Sequence, residues 1–211
     1  VSSNSAIVSL LVNFFVGIGL GANVVIANAL GRDDRDMVEK TVHTAILLSV
    51  LGGILMAAFG EAIAHSLLSS LNVPEDVFDM ALTYLRIYFL GMPVILLYNF
   101  EAAIFRSVGD TKTPLLALAF SGVLNVLLNL FFVLALKMTV DGVAIATVSA
   151  NAVSAVILFL KLRNTDKSIK LDPSKLRIDG KALGRILRIG VPAGIQSALF
   201  SLSNILITSS V

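Results

Sequence analysis

Six apolar stretches, at 7–30, 42–71, 81–105, 114–136, 142–160 and 191–211, recur along a chain of 211 residues. Each is about 20 residues or longer, the length an α-helix needs to cross roughly 30 Å of hydrocarbon. A backbone in lipid must satisfy its own hydrogen bonds, so such runs fold as membrane-crossing helices. The pattern predicts an all-α, polytopic membrane protein. Only 14% of the residues are charged and 56% are hydrophobic, with mean hydropathy +0.91, whereas soluble domains carry about 25% charge. The second stretch exceeds what a crossing needs and holds Glu61 and His65 in its last third, which is expected at the interface. The chain opens without Met inside one apolar run and ends inside another, so it reads as an internal piece of a longer protein.

The loops set the orientation. Fourteen of the sixteen Lys and Arg residues fall in the first, third and fifth connections. By the positive-inside rule the loops 31–41, 106–113 and 161–190 are cytoplasmic, and the chain is a multi-pass protein of the inner cell membrane. Arg86 lies between Tyr84 and Tyr88 and is expected to snorkel to the opposite headgroups beside an aromatic belt. The segment 161–190 holds nine of the cations, with Lys181, Arg185 and Arg188 on one helical face and Leu183, Ile186 and Leu187 on the other. That pattern suits a short helix at the membrane surface with its apolar side in contact with lipid, or a solvated linker helix. Membrane lipids are therefore expected partners. Basic residues confined to loops are no nucleic-acid footprint, and none is expected as a partner. Cysteine is absent and the two histidines, His43 and His65, stand apart, so no metal centre or other cofactor is expected. No nucleophile–base pair or phosphate loop marks an enzyme.

Polar groups inside the spans carry the functional signal. Asn13, Gly17, Gly21 and Asn28 share a face of the first span, and Ser49, Gly53, Ala57 and Gly60 one of the second; small residues of this kind let helices pack closely. Ser121, Asn125 and Asn129 recur every four residues on the fourth span, and Thr147, Asn151 and Ser154 make a matching stripe on the fifth. Amides in hydrocarbon need partners, so the two stripes are expected to face each other or a shared wet cavity. Packing glue explains them; so does a site that ligates Na⁺ or relays H⁺. Glu101, beside Asn99 and Tyr98, would cost about 2.5–3.5 kcal/mol as an ion near the bilayer centre. It is either a near-interface acid paired with a cation such as Arg106, or a buried proton site. Pro93 after Gly91 predicts a kink in the third span.

The run Arg106-Ser107-Val108-Gly109-Asp110-Thr111-Lys112-Thr113-Pro114 resembles the turn between the fourth and fifth helices of multidrug and toxic compound extrusion (MATE) transporters. Gly17-Ile18-Gly19-Leu20-Gly21 with Ala29-Leu30-Gly31-Arg32-Asp33 resembles the family's second helix and the turn after it. Gly190-Val191-Pro192-Ala193-Gly194-Ile195-Gln196 resembles the start of its seventh. The resemblance implies helices two to seven of a twelve-helix, two-lobed protein. Residues 1–160 would be an N-lobe bundle lacking its first helix, 161–190 the connection between lobes, and 191–211 the start of the C-lobe.

The resemblance further implies rocker-switch efflux of amphipathic, often cationic compounds by Na⁺ or H⁺ antiport, in a protein that is monomeric when complete. The family's coupling residues map to Asn125, Asn129 and Thr147. Asn129 is a departure, because it cannot titrate where the family has an acid. The coupling acid is then Glu101 or lies elsewhere, on the first helix or in the C-lobe. Asn151, Asn99, Gln196 and Asn204 are further cavity candidates. Two other readings stand beside this one: a lipid-linked oligosaccharide flippase of the same superfamily, disfavoured because no Lys or Arg lies at a span centre, and a non-transporting scaffold.

Overall fold

The computed structural model describes residues 2–209, so the last two residues expected in the sixth span lie outside it. Every crossing helix in that range corresponds to an apolar run. They are α1 (Ser2–Gly31), α2 (Arg35–Ser70), α3 (Glu75–Leu90), α4 (Met92–Ser107), α5 (Lys112–Leu130), α6 (Val140–Arg163) and α7 (Gly180–Ser209). No strand occurs among the described residues. Five helices are long and apolar enough to cross a membrane alone, and α3 with α4 makes a sixth crossing bent by 47°. Gly91 caps both halves of that bend, and Pro93, early in α4, supplies no amide to continue the α3 ladder. α5 runs on directly into a π-helical turn over Phe131–Ala135.

Up-and-down connectivity gathers the three cation-rich connections at one end of the bundle. There, Ile26, Val42, Phe100, Ile104, Leu158 and Ile186 meet in the larger core, while Leu68, Leu85, Phe89 and Met92 fill the opposite half. Leu115, Leu116, Phe120, Val123 and Leu127 of α5 are exposed, as expected of a surface made for hydrocarbon. At the opposite end Arg86 does more than snorkel. Its Nε lies 3.6 Å from Glu61 Oε2 and ties α3 to the end of α2, so Glu61 is paired rather than merely interfacial.

The 164–179 connection departs from expectation. It is neither a lipid-surface helix nor a free linker. The helix starts only at Gly180 and runs on without a break as α7, with Pro192 inside it. Its Ala182 and Ile186, with Ile169 and Leu171 of the connection, have no exposed surface and complete the larger core. Burying each of the larger three stabilises this arrangement by about 1.5–3 kcal/mol. The middle of the apolar stripe, Ile186, is covered by protein, and Leu187 packs against the same core.

Polar staples hold the same segment. The Asp172 amide donates to His43 Nε2 (3.1 Å) while His43 Nδ1 donates to the Glu39 carbonyl (2.7 Å). The Asp179 amide donates to Thr44 Oγ1 (3.0 Å), and Lys175 Nζ lies 3.2 Å from Glu39 Oε1. His43→Ala leaves the Asp172 amide without its acceptor, a loss of about 1–3 kcal/mol in a part-buried setting. Trypsin cleavage after Lys167, Lys170 or Lys175 is expected to quicken about tenfold through local opening, and an unchanged cleavage rate would refute the staple.

Two aspartates of the connection cap the backbone they precede. Hydrogen bonds from Ser174 hold the Asp172 carboxyl below the usual carboxylate range, and the Ala182 amide does the same for Asp179 at the start of α7.

Candidate functional site

Glu101 is the most unusual side chain in the structure. It has no exposed surface, and neither carboxylate oxygen has a hydrogen-bond partner. It sits in a stretch of α4 where Phe100, Ala102, Ala103, Ile104 and Phe105 are all buried, and this part of the helix packs among α1, α2 and α6. The expected pairing with Arg106 is absent. Residues five apart on a helix point about 140° away from each other, and Arg106 Nε folds back on its own helix to the Ala102 carbonyl (3.2 Å). Asn99 also turns to its own helix, donating to the Ile95 carbonyl (2.8 Å).

The stripes on α5 and α6 do meet, but only at one level. Ser121 Oγ donates to the Ala150 carbonyl (2.8 Å), and Ser154 Oγ donates to the Ala117 carbonyl (3.2 Å). These two crossed bonds zip the helices together near the cation-rich end. One and two turns further in, the arrangement changes. Asn129 Nδ2 donates to Asn125 Oδ1 (2.7 Å) within α5, while Thr147 and Asn151 donate to carbonyls of α6 itself. The Asn129 Oδ1 atom is left buried with no partner. So the stripes join through their serines, while the amides keep to their own helices and offer one unused acceptor. The π-helical turn begins two residues after Asn129, in keeping with the frequent occurrence of such bulges beside functional sites.

Gln196 and Asn204 are both on exposed positions of α7. Two polar contacts were not foreseen. Asn13 Nδ2 donates to Ser201 Oγ (2.8 Å), linking α1 to α7, and Asn23 Nδ2 donates to the Ala103 carbonyl (3.0 Å), anchoring α1 on α4 two residues from Glu101. The sequence signal for Asn23 was only that of one more Asn on an apolar helix that also carries Asn13 and Asn28.

The turn between α4 and α5 is built around Asp110. Gly109 takes φ +78°, a left-handed conformation that glycine adopts without a Cβ penalty. Asp110 then accepts from the Thr113 amide (3.0 Å) and hydroxyl (2.8 Å) and meets Lys167 Nζ at 3.0 Å. Partial burial alone would push its carboxyl up, but these donors outweigh burial and pull it down to about 2. A depressed carboxylate stabilises the fold above its unfolded value near 3.8 and loses that contribution as pH falls towards 2. Protection of the Thr113 amide against hydrogen exchange is therefore expected to persist at pH 5 and to weaken only below about 4. Asp110→Asn should move that loss to no pH at all.

The sequence pattern of the MatE family matches residues 1–131. The chain belongs to the MatE family. It is 32% identical over 218 residues to the Bacillus subtilis (strain 168) protein named "Probable multidrug resistance protein YoeA", covering 100% of this chain and 47% of that protein. It is 22% identical over 200 residues to a Shewanella oneidensis protein named FAD transporter, covering 91% of this chain and 43% of that one. An outward-facing structure of a multidrug resistance MATE family transporter superposes with TM-score 0.90 at 22% identity, over 99% of this chain and 47% of that one. The inward-facing counterpart gives 0.86 at 22% identity, over 93% and 45%. These structural likenesses establish the shared fold, and the MatE-family chain spans about half the length of the curated relatives it matches.

Proposed function

We propose that the protein containing this chain is a secondary active exporter of amphipathic, often cationic compounds, driven by inward flow of Na⁺ or H⁺. One observation carries the reading: a relative that aligns along the whole chain at 32% identity bears the name "Probable multidrug resistance protein". The cation-rich end faces the cytoplasm, in line with the positive-inside rule. The lobes rock about a site near mid-membrane, the usual plan of transporters built from two bundles.

Glu101 is the coupling group on this reading. Two buried carboxylate oxygens without a donor are open to a proton or a cation, and an uncompensated charge there is too costly to be structural filler. The Asn125–Asn129 pair, with its unused Oδ1, supplies neutral oxygen ligands on the same lobe, and Thr147 lies on the helix beside it. The flippase alternative gains nothing from the structure. Arg86, at the end of the bundle away from the cation-rich loops, is tied to Glu61 rather than open to a pyrophosphate.

The test is flux through the complete protein in liposomes. An imposed Na⁺ or pH gradient should drive uptake or release of a fluorescent organic cation, and FAD belongs in the same assay because one relative carries that name. Absence of gradient-dependent flux for either, with movement of a lipid-linked sugar instead, would replace the proposal by the flippase.

A further inference from the structure

Where α1 ends and α7 begins, Arg32, Arg185 and Arg188 line one cleft of about 130 Å³, walled on its apolar side by Val25 and Ile189. Arg185 and Arg188 are three apart and share a helix face; Arg32 follows the last residue of α1. None of the three guanidinium groups is in an ion pair among the described residues, although five such pairs form elsewhere on the chain. The one acid in the lining, Asp34, uses Oδ1 to accept the Met37 amide (3.1 Å) and pairs with none of them.

Three like charges drawn to one cleft repel each other, and a protein gains by such an arrangement when an anion neutralises it. The cleft opens to solvent on one side and has room for a phosphate group. Guanidinium groups are the donors best matched to phosphate oxygens. Past the cleft, α7 continues with exposed Ile195 and Leu199, a surface along which acyl chains can lie. Basic pockets between helices at the cytoplasmic level are the usual seats of anionic headgroups.

We propose that this cleft binds the phosphate of an anionic phospholipid from the inner leaflet and so clasps the α1–α7 junction. The inference rests on the orientation stated above and not on transport, so its failure and that of the exporter reading are separable.

The test uses the full-length protein in detergent, with lipid binding followed by native mass spectrometry. Phosphatidylglycerol and phosphatidylcholine are titrated against the parent, against a cleft variant (R32Q, R185Q and R188Q together) and against a control (R163Q, K170Q and R177Q) that removes equal charge from exposed positions outside the cleft. Phosphatidylglycerol affinity is expected to fall on the order of a hundredfold in the cleft variant and less than threefold in the control, with phosphatidylcholine unaffected. R188Q alone, expected to weaken binding roughly fivefold, keeps the test intact if the triple variant does not fold. Millimolar inorganic phosphate should fail to displace the lipid; displacement would mark a site for soluble phosphate instead. Equal losses in cleft and control variants would mean diffuse attraction and overturn the proposal. So would retained affinity in the cleft variant, or in R188Q where the triple variant does not fold.

Discussion

Glu101→Gln is expected to reduce gradient-driven efflux at least a hundredfold, to the level of empty liposomes, while membrane insertion and yield stay normal. The amide keeps the shape of the side chain and removes its capacity to take up and release a proton or to balance a cation. It leaves the polar atoms as short of partners as before, so stability should change by less than about 1 kcal/mol. Glu101→Met makes the sharper comparison. It removes both orphaned oxygens from a site with no exposed surface, and replacing a buried, unpartnered polar group with an apolar one of similar size stabilises by about 1–3 kcal/mol. Transport should disappear just as completely. A residue retained for structure predicts the reverse, with lower stability and intact flux. Coupled transport in both variants would move the coupling acid to another part of the protein.

The crossings were legible because the thickness of a bilayer leaves little choice of length, and the bend at Gly91 was legible because Pro93 has no amide to give. What sequence periodicity reports is a face, not what the face meets. Ser121, Asn125 and Asn129 were visibly one stripe, yet only the serine reaches the neighbouring helix; which level of two antiparallel helices touches depends on their crossing geometry. The same blindness affected 161–190. Leu183, Ile186 and Leu187 form an apolar stripe that suits lipid as well as protein, and only the fold shows Ile186 under the ends of α1 and α2 together with Ile169 and Leu171. His43 reads in sequence only as an isolated imidazole, because its partner lies 129 residues away and no local pattern carries that. Glu101 stood out as an acid in an apolar run. Its lack of any partner was not readable, because proximity to Arg106 in sequence suggested one.

Widening the seam between α1 and α7 is expected to have the second large effect. The two helices run antiparallel and touch backbone to backbone, with Gly17 and Gly21 facing Gly194 and Gly190. A Cβ built on Gly194 would stand 2.5 Å from the Phe14 carbonyl oxygen, and one on Gly190 would stand 2.7 Å from that of Ile18. Neither obstacle is a side chain that can rotate away, so Gly194→Val must push the helices apart along their length. Overpacking of this kind costs about 1–3 kcal/mol, and here it also pulls Asn13 from Ser201, a further loss of about 1 kcal/mol. The full-length variant should unfold several degrees lower than the parent and lose most of its transport. Gly184→Val, where an added Cβ meets nothing within 4 Å, should cost no more than a few tenths of a kcal/mol, since valine is at least as good a helix residue as glycine. The contrast matters because the start of α7 is already held on α1 and α2 by Ile186 and, just before the helix, by the Asp179 amide's bond to Thr44. Movement of α7 against α1 must then open this glycine seam, Pro192 included, or bend α7 beyond Gly194. If Gly194→Val and Gly184→Val behave alike in both stability and flux, the seam is not a tight contact in the working protein and the hinge must be sought in 164–179 after all.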